Sequence, residues 1–199
     1  MDRQPGVVLK ACSAFLAGNE ESAKQLIEEK YPHHPITPHS RKYTALQSTR
    51  VFVRDGFIDR YSGNRLVFPP VLRALSMRMP DAFPFHKNWK MTDCHIAYWH
   101  LCPTIDHVVP VARGGEDKQS NWVTTSMMMN SAKSNWLLSE LGWQLHPRGR
   151  LEDWDGLLEA FLEIVDKCPE FLSNSYIRRW HKAAVRLVRT QQITLAAHA

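Results

Sequence analysis

The sequence predicts an α+β fold in which a small strand–loop–strand–helix unit is carried between helical segments at the two ends of the chain. Three observations point there. Residues 104–111 (Thr-Ile-Asp-His-Val-Val-Pro-Val) form a strand pattern, and 122–124 repeats it after a glycine-containing loop. The stretches 154–165 and 176–188 place apolar residues at helical spacing. The chain has 199 residues, 44% hydrophobic and 23% charged, a composition able to bury a core without disulfides or metal.

Taken in order, residues 6–30 predict two short helices, broken at Gly18-Asn19, with Asn19 as the cap of the second. Pro32, Pro35 and Pro38 forbid helix and predict an extended linker to about residue 40, in which His33, His34 and His39 are solvated. Val51, Val53, Phe57 and Tyr61 with the turn Ser62-Gly63-Asn64 predict a hairpin over 50–68. Pro69-Pro70 opens a helix through about Met79. Residues 81–103 show no clean period and read as irregular, with one short strand or helix. After the two strands, Ser126 caps a helix to about Leu141, ended by Gly142. The organisation expected is a helical segment with linker at 1–45, a core at 46–145 and a helical segment at 146–199.

No run of eighteen apolar residues exists, so no membrane span is expected. The first residues lack a basic stretch followed by an apolar one, which predicts a cytoplasmic protein without a secretion signal. Cys12, Cys94, Cys102 and Cys168 form no close pair and are expected as reduced thiols. Cys94, His95, His100 and Cys102 are metal-binding in type but poor in spacing, and packing is the expected role.

Charge is segregated. Residues 41–80 carry eight basic side chains against Asp55 and Asp59, and 171–199 carry Arg178, Arg179, Lys182, Arg186 and Arg189 with no acid. Residues 151–170 carry seven acids against Lys167. Such blocks build a one-sided potential that attracts phosphate, or they pair with each other; for the basic face of the last helix the sequence leaves solvation and phosphate contact both open.

The chemistry sits in 104–141. Asp106 and His107 are adjacent on a strand, Asn121 opens the second strand, and Asn130 and Lys133 lie three apart on the helix. A carboxylate and an amide oxygen suit a hard divalent cation, which takes up charge on a phosphate undergoing hydrolysis. A neutral imidazole beside them suits deprotonation of water. Neighbours on a strand leave opposite faces, so a local distortion at Asp106-His107 is expected.

Asp106-His107-Val108-Val109-Pro110, the Gly114-Gly115 loop, Asn121 fourteen residues after the histidine, and Asn130-x-x-Lys133 nine beyond resemble the HNH endonucleases. The resemblance covers about residues 50–143. It implies a ββα-metal (HNH) core, with His107 as general base, Asp106 and Asn130 as ligands of magnesium or manganese, and Asn121 constraining the loop. This is an H-N-N rather than a literal H-N-H pattern. The implied activity is metal-dependent hydrolysis of a DNA phosphodiester to a 5′-phosphate and a 3′-hydroxyl. Lys133 matches a lysine near the substrate backbone, and Arg113, Lys118, Arg54 and Arg60 are further candidate phosphate contacts.

Arg54-Asp55 through Gly63 resembles the opening of zinc-stapled members, but Asp59, Ser62, Ser126 and Met129 stand at the cysteine places, so no structural zinc is expected. Packing of Trp89, Trp99, Trp122, Trp136 and Trp143 is the expected substitute. A homodimer or larger assembly would permit double-strand cutting. The other class of reading is a catalytically silent DNA-binding module of a larger defence, packaging or recombination assembly.

Overall fold

A computed structural model describes residues 4–33 and 42–197. The chain divides into two compact units, 1–39 and 40–199. In the first, α1 (Gln4–Leu16) and α2 (Glu20–Lys30) pack on each other. The break falls where the sequence predicts it, and the Asn19 side chain accepts a hydrogen bond from the Ser22 N–H. Most of the expected proline-rich linker, with His34 and His39, lies outside the described residues.

The second unit is α+β. Its helices are α3 (Ala45–Arg54), α4 (Pro69–Arg78), α5 (Ala97–His100), α6 (Met127–Lys133), α7 (Leu138–Leu141), α8 (Leu158–Lys167) and α9 (Ser175–Ala197). A two-stranded antiparallel sheet pairs β1 (Pro103–His107) with β2 (Trp122–Ser126). The C-terminal helices share this unit: α9 packs on α3, α4 and α8. The buried Phe68 ring lies at 6.1 Å from Phe57, 5.4 Å from Phe161 and 5.5 Å from Trp180, joining the start of α4 to α8 and α9. Among the described residues no helix is long and apolar enough to cross a membrane.

The expected hairpin over 50–68 is not formed. Thr44 and Gln47 make a capping box that starts α3, and Ala45, Ser48, Thr49 and Phe52 are the i, i+3, i+4, i+7 buried stripe of a helix. The alternation of Val51 and Val53 mimicked a strand. Beyond α3 the chain turns through Gly56 and Phe57, both at positive φ, and only an isolated Ile58–Arg65 bridge remains of the pairing. A side chain at Gly56 would collide with the Gly149 backbone at 2.3 Å. β1 also stops four residues earlier than expected. Pro110 has no N–H to offer, and the Val109 N–H goes to the Asn121 side chain. The helix expected to reach Leu141 is two: Ser134, at φ 47°, turns the chain after α6, and Gly142 ends α7 in the left-handed region.

A two-stranded sheet is marginal by itself, and its outer edge needs partners. Here two buried carboxylates supply them. Asp55 accepts the Thr124 N–H at 2.8 Å, and Asp59 accepts the Ser126 N–H at 2.9 Å. The Arg60 N–H reaches the Thr124 carbonyl at 2.8 Å, and the Arg54 guanidinium reaches the Trp122 carbonyl at 2.6 Å. Asp59 also accepts from the Tyr61 and Ser62 N–H groups and the Thr125 hydroxyl. The residue at the first cysteine place thus ties the turn to β2 by hydrogen bonds. The expected aromatic substitute is a smaller part: Trp143 meets Tyr61 at 5.8 Å, but Trp89 packs on Phe85 and Tyr98, and Trp136 is exposed.

Asp59→Ala leaves several buried donors unpaired and should lower the free energy of unfolding in urea by on the order of 3 kcal/mol. Dialysis against EDTA should leave the wild-type midpoint unchanged. A midpoint that falls with EDTA and returns with zinc would show that metal, not carboxylate, holds the turn.

Candidate active site

β1 runs in regular register through both polar residues, Asp106 opposite Val123 and His107 opposite Trp122, with alternating burial. The expected distortion at Asp106-His107 is absent. The two side chains leave opposite faces of the sheet and build two separate polar groups.

On one face the Asp106 carboxylate, 13% exposed, accepts from the Tyr61 hydroxyl at 2.7 Å and pairs with the Lys133 ammonium at 2.9 Å. Both contacts fall on Oδ2. Lys133 is fully buried and also donates to the His107 carbonyl at 2.8 Å. That corrects its expected role at the substrate backbone: its charge faces inward, because α6 packs on β1 and a buried carboxylate requires a counter-charge. Burial, followed by Asp106, pushes the Tyr61 phenol far above its ordinary range, so it stays a donor.

On the other face lies His107, buried at 5% exposure. Its Nε2 is 2.8 Å from Asp117 Oδ1, and the same oxygen accepts from the Trp122 indole at 2.9 Å and the Tyr43 hydroxyl at 3.2 Å. These donors, that from His107 first, hold the Asp117 carboxyl below the usual carboxylate range. An ionised carboxylate has only acceptors, so a proton on Nε2 bridges the two groups; the Trp122 indole N–H, also 3.1 Å from Nε2, then donates to Asp117. Asp117 is the positioning residue that sequence reasoning missed. It lies ten residues after the histidine, in a loop, at a spacing that marks nothing; only the need of an imidazole for a carboxylate could have flagged the acids of that loop.

Asn121 sits at the end of the loop between the strands. Its amide accepts from the Val109 N–H at 2.9 Å and donates to the carbonyls of Val109 and Glu116 at 2.8 and 2.9 Å, clamping both ends of the loop between the strands. Gly115 lies so close beneath that a Cβ would fall 1.8 Å from the Val109 oxygen. Asn130 lies half-buried on α6, one turn before Lys133.

Of the expected phosphate contacts, Arg54 and Arg60 are structural. Arg54 grips Asp55 through Nε and Nη2 at 2.9 and 3.0 Å, and also holds the Gln119 carbonyl. Arg60, 12% exposed, faces Asp55 at 3.5 Å together with Arg148 at 3.2 Å. A carboxylate this deeply buried draws in the cations that the sequence offered to phosphate. Arg113 pairs with Glu140 and Lys118 with Glu116, both at the surface.

For a metal, Asp106 Oδ1 and the Asn130 amide oxygen are hard donors that fit magnesium or manganese. Lys133, 2.9 Å from Asp106 Oδ2, already offsets the carboxylate's charge, so an ion held by these two residues would need water and substrate for most of its ligands. Among the described residues no group of three or more His, Cys, Asp or Glu is placed to hold a metal. Cys94 accepts from the His86 N–H, His95 stacks on Phe83 at 4.2 Å, and burial pushes the Cys102 thiol up to about 12.

No family model, curated protein or solved structure matches the chain.

Nitrogen-15 spectroscopy of the imidazoles at neutral pH should show His107 as the Nε2–H tautomer, and Asp117→Asn should shift population toward Nδ1–H. A predominantly Nδ1–H form in the wild-type protein would contradict the assignment.

Proposed function

We propose that the second unit is a metal-dependent, HNH-type endonuclease of ββα-metal architecture that hydrolyses DNA phosphodiesters. The observation that carries this reading is the order of parts. An imidazole hydrogen-bonded to a carboxylate ends β1, an asparagine clamps the following loop, and the helix after β2, which packs on β1, carries Asn130 one turn before the Lys133 that pairs with Asp106.

In this reading His107 Nδ1 takes a proton from water as the water oxygen attacks phosphorus. The bond from phosphorus to the 3′ oxygen breaks, and that oxygen is protonated from solvent. The products are a 5′-phosphate and a 3′-hydroxyl. Asp117 holds the imidazole in the basic tautomer and stabilises the imidazolium that forms, while Asn121 fixes the loop that carries Asp117. Asp106 and Asn130 would hold a magnesium-type ion, which when bound neutralises charge on the phosphate. Lys133 pairs with the Asp106 carboxylate at the strand. One such centre cuts one strand.

A second reading, a DNA-binding module without catalysis, is favoured by two observations: His107 is 5% exposed, and Lys133 already pairs with Oδ2 of the carboxylate that a metal would use.

Nicking of supercoiled plasmid in magnesium separates the two. His107→Ala should lose on the order of 10²- to 10⁴-fold in rate, the contribution of a general base. Asp106→Asn and Asn130→Ala, checked for folding by circular dichroism, should lose magnesium-stimulated nicking and keep DNA binding. Equal nicking by wild type and His107→Ala would end the hydrolase reading.

A further inference from the structure

Beside the His107 network runs a groove of about 830 Å³, formed by residues 42–46 and the first turns of α9. Its walls carry Lys42, Arg178, Arg179, Lys182 and Arg186, and no acid lines it. We propose that this groove is the track for the phosphate backbone of the nucleic acid, leading the strand to the imidazole.

Four features support this. First, the cations are arrayed rather than scattered. Arg178, Lys182 and Arg186 follow one another at four-residue spacing, so they form one stripe along α9 with about 6 Å between successive members. Second, among the described residues no acid answers Lys42, Arg179 or Lys182. Four of the seven acids at 151–170 have partners elsewhere: Glu163 with Lys167, Asp153 with Arg150, and Glu170 with Arg78, while Asp155 receives the Leu157 and Glu159 N–H groups at the start of α8. Among the described residues Lys42, Arg179 and Lys182 make no ion pair, although the Arg179 guanidinium lies 5.6 Å from the Tyr176 ring centre, and all three line the groove. Third, the groove starts at the N-terminus of a long helix, whose dipole adds to the attraction for anions. Fourth, the groove meets the site through a shared residue. Tyr43 lines it, donates to Asp117, stands 3.5 Å from His107 Nε2 and packs edge-on against Trp122 at 4.9 Å.

This inference rests on the reading of the protein as DNA-acting, but it assigns a surface that the HNH resemblance does not cover. It also replaces Arg54, Arg60 and Lys133, which face inward, as the source of phosphate affinity.

The test is fluorescence anisotropy of a labelled DNA duplex and the matching single strand in EDTA, over a range of salt, with the full chain. The variant is the triple K42Q/R179Q/K182Q. The control triple K87Q/K90Q/K167Q removes the same charge from exposed positions of the same unit that do not line the groove. For every phosphate that a side chain no longer neutralises, the plot of log affinity against log salt becomes shallower by about 0.9 on duplex and about 0.7 on single strand. The groove variant should therefore lose about 2 to 3 units of slope, and the control almost none. In nicking assays the groove variant should raise KM and keep kcat. An unchanged slope in the groove variant, or an equal loss in the control, overturns the groove. Wild-type protein that binds through the groove but never nicks leaves the groove standing and ends the hydrolase. Nicking that survives with an unaltered groove-variant salt slope does the reverse.

Discussion

The second unit depends on how the outer edge of β2 is satisfied. One edge of β2 pairs with β1; on the other, the Thr124 and Ser126 N–H groups have no strand to bond. Asp55 and Asp59, both wholly buried, accept them, and Arg54 and Arg60 fill the carbonyl side. Unpaired backbone groups at a buried edge would each cost about as much as a lost hydrogen bond, so this edge decides whether so short a sheet persists. The negative charges introduced here are then met by Arg54, Arg60 and Arg148 around Asp55 and by converging N–H dipoles around Asp59.

What is built on that sheet has two faces. β1 stays regular, so Asp106 and His107 are held apart in direction although adjacent in sequence. One face fixes a carboxylate with an internal lysine and a tyrosine; the other fixes an imidazole with an aspartate, an indole and a second tyrosine. Asn121 couples the faces to the loop by consuming both ends of its backbone hydrogen bonding, which places Asp117 within reach of Nε2. The ring's orientation is then a consequence of electrostatics: an ionised carboxylate at Nε2 favours a proton on that nitrogen.

Much of this was legible in the sequence where a residue's local demand is strong. Pro69-Pro70 opens α4 within a residue of the expected place, Asn19 caps α2, Ser126 caps α6, and the two strands fall at 103–107 and 122–126. The hairpin over 50–68 misled because β-branched residues at 51 and 53 satisfy both a strand's alternation and a helix's buried stripe, and the Thr44–Gln47 capping box decided between them. Roles that depend on depth were not legible. Lys133, Arg54 and Arg60 read as phosphate contacts because sequence shows charge and not burial, and each is instead consumed by an internal carboxylate. Asp117 and Tyr43 were missed because long-range contacts, 10 and 64 residues from His107, leave no periodic trace.

The claim that joins these parts is that the neutral imidazole of His107 takes the proton of the attacking water. The measurement that bears on it most directly is rescue by free imidazole of the nicking of supercoiled DNA, at saturating magnesium and fixed pH. His107→Ala should nick on the order of 10²- to 10⁴-fold more slowly than the wild-type protein, and added imidazole should restore part of that rate while leaving the wild-type rate unchanged. A His107→Ala rate equal to the wild-type rate, or one that imidazole leaves unaltered, would contradict the account.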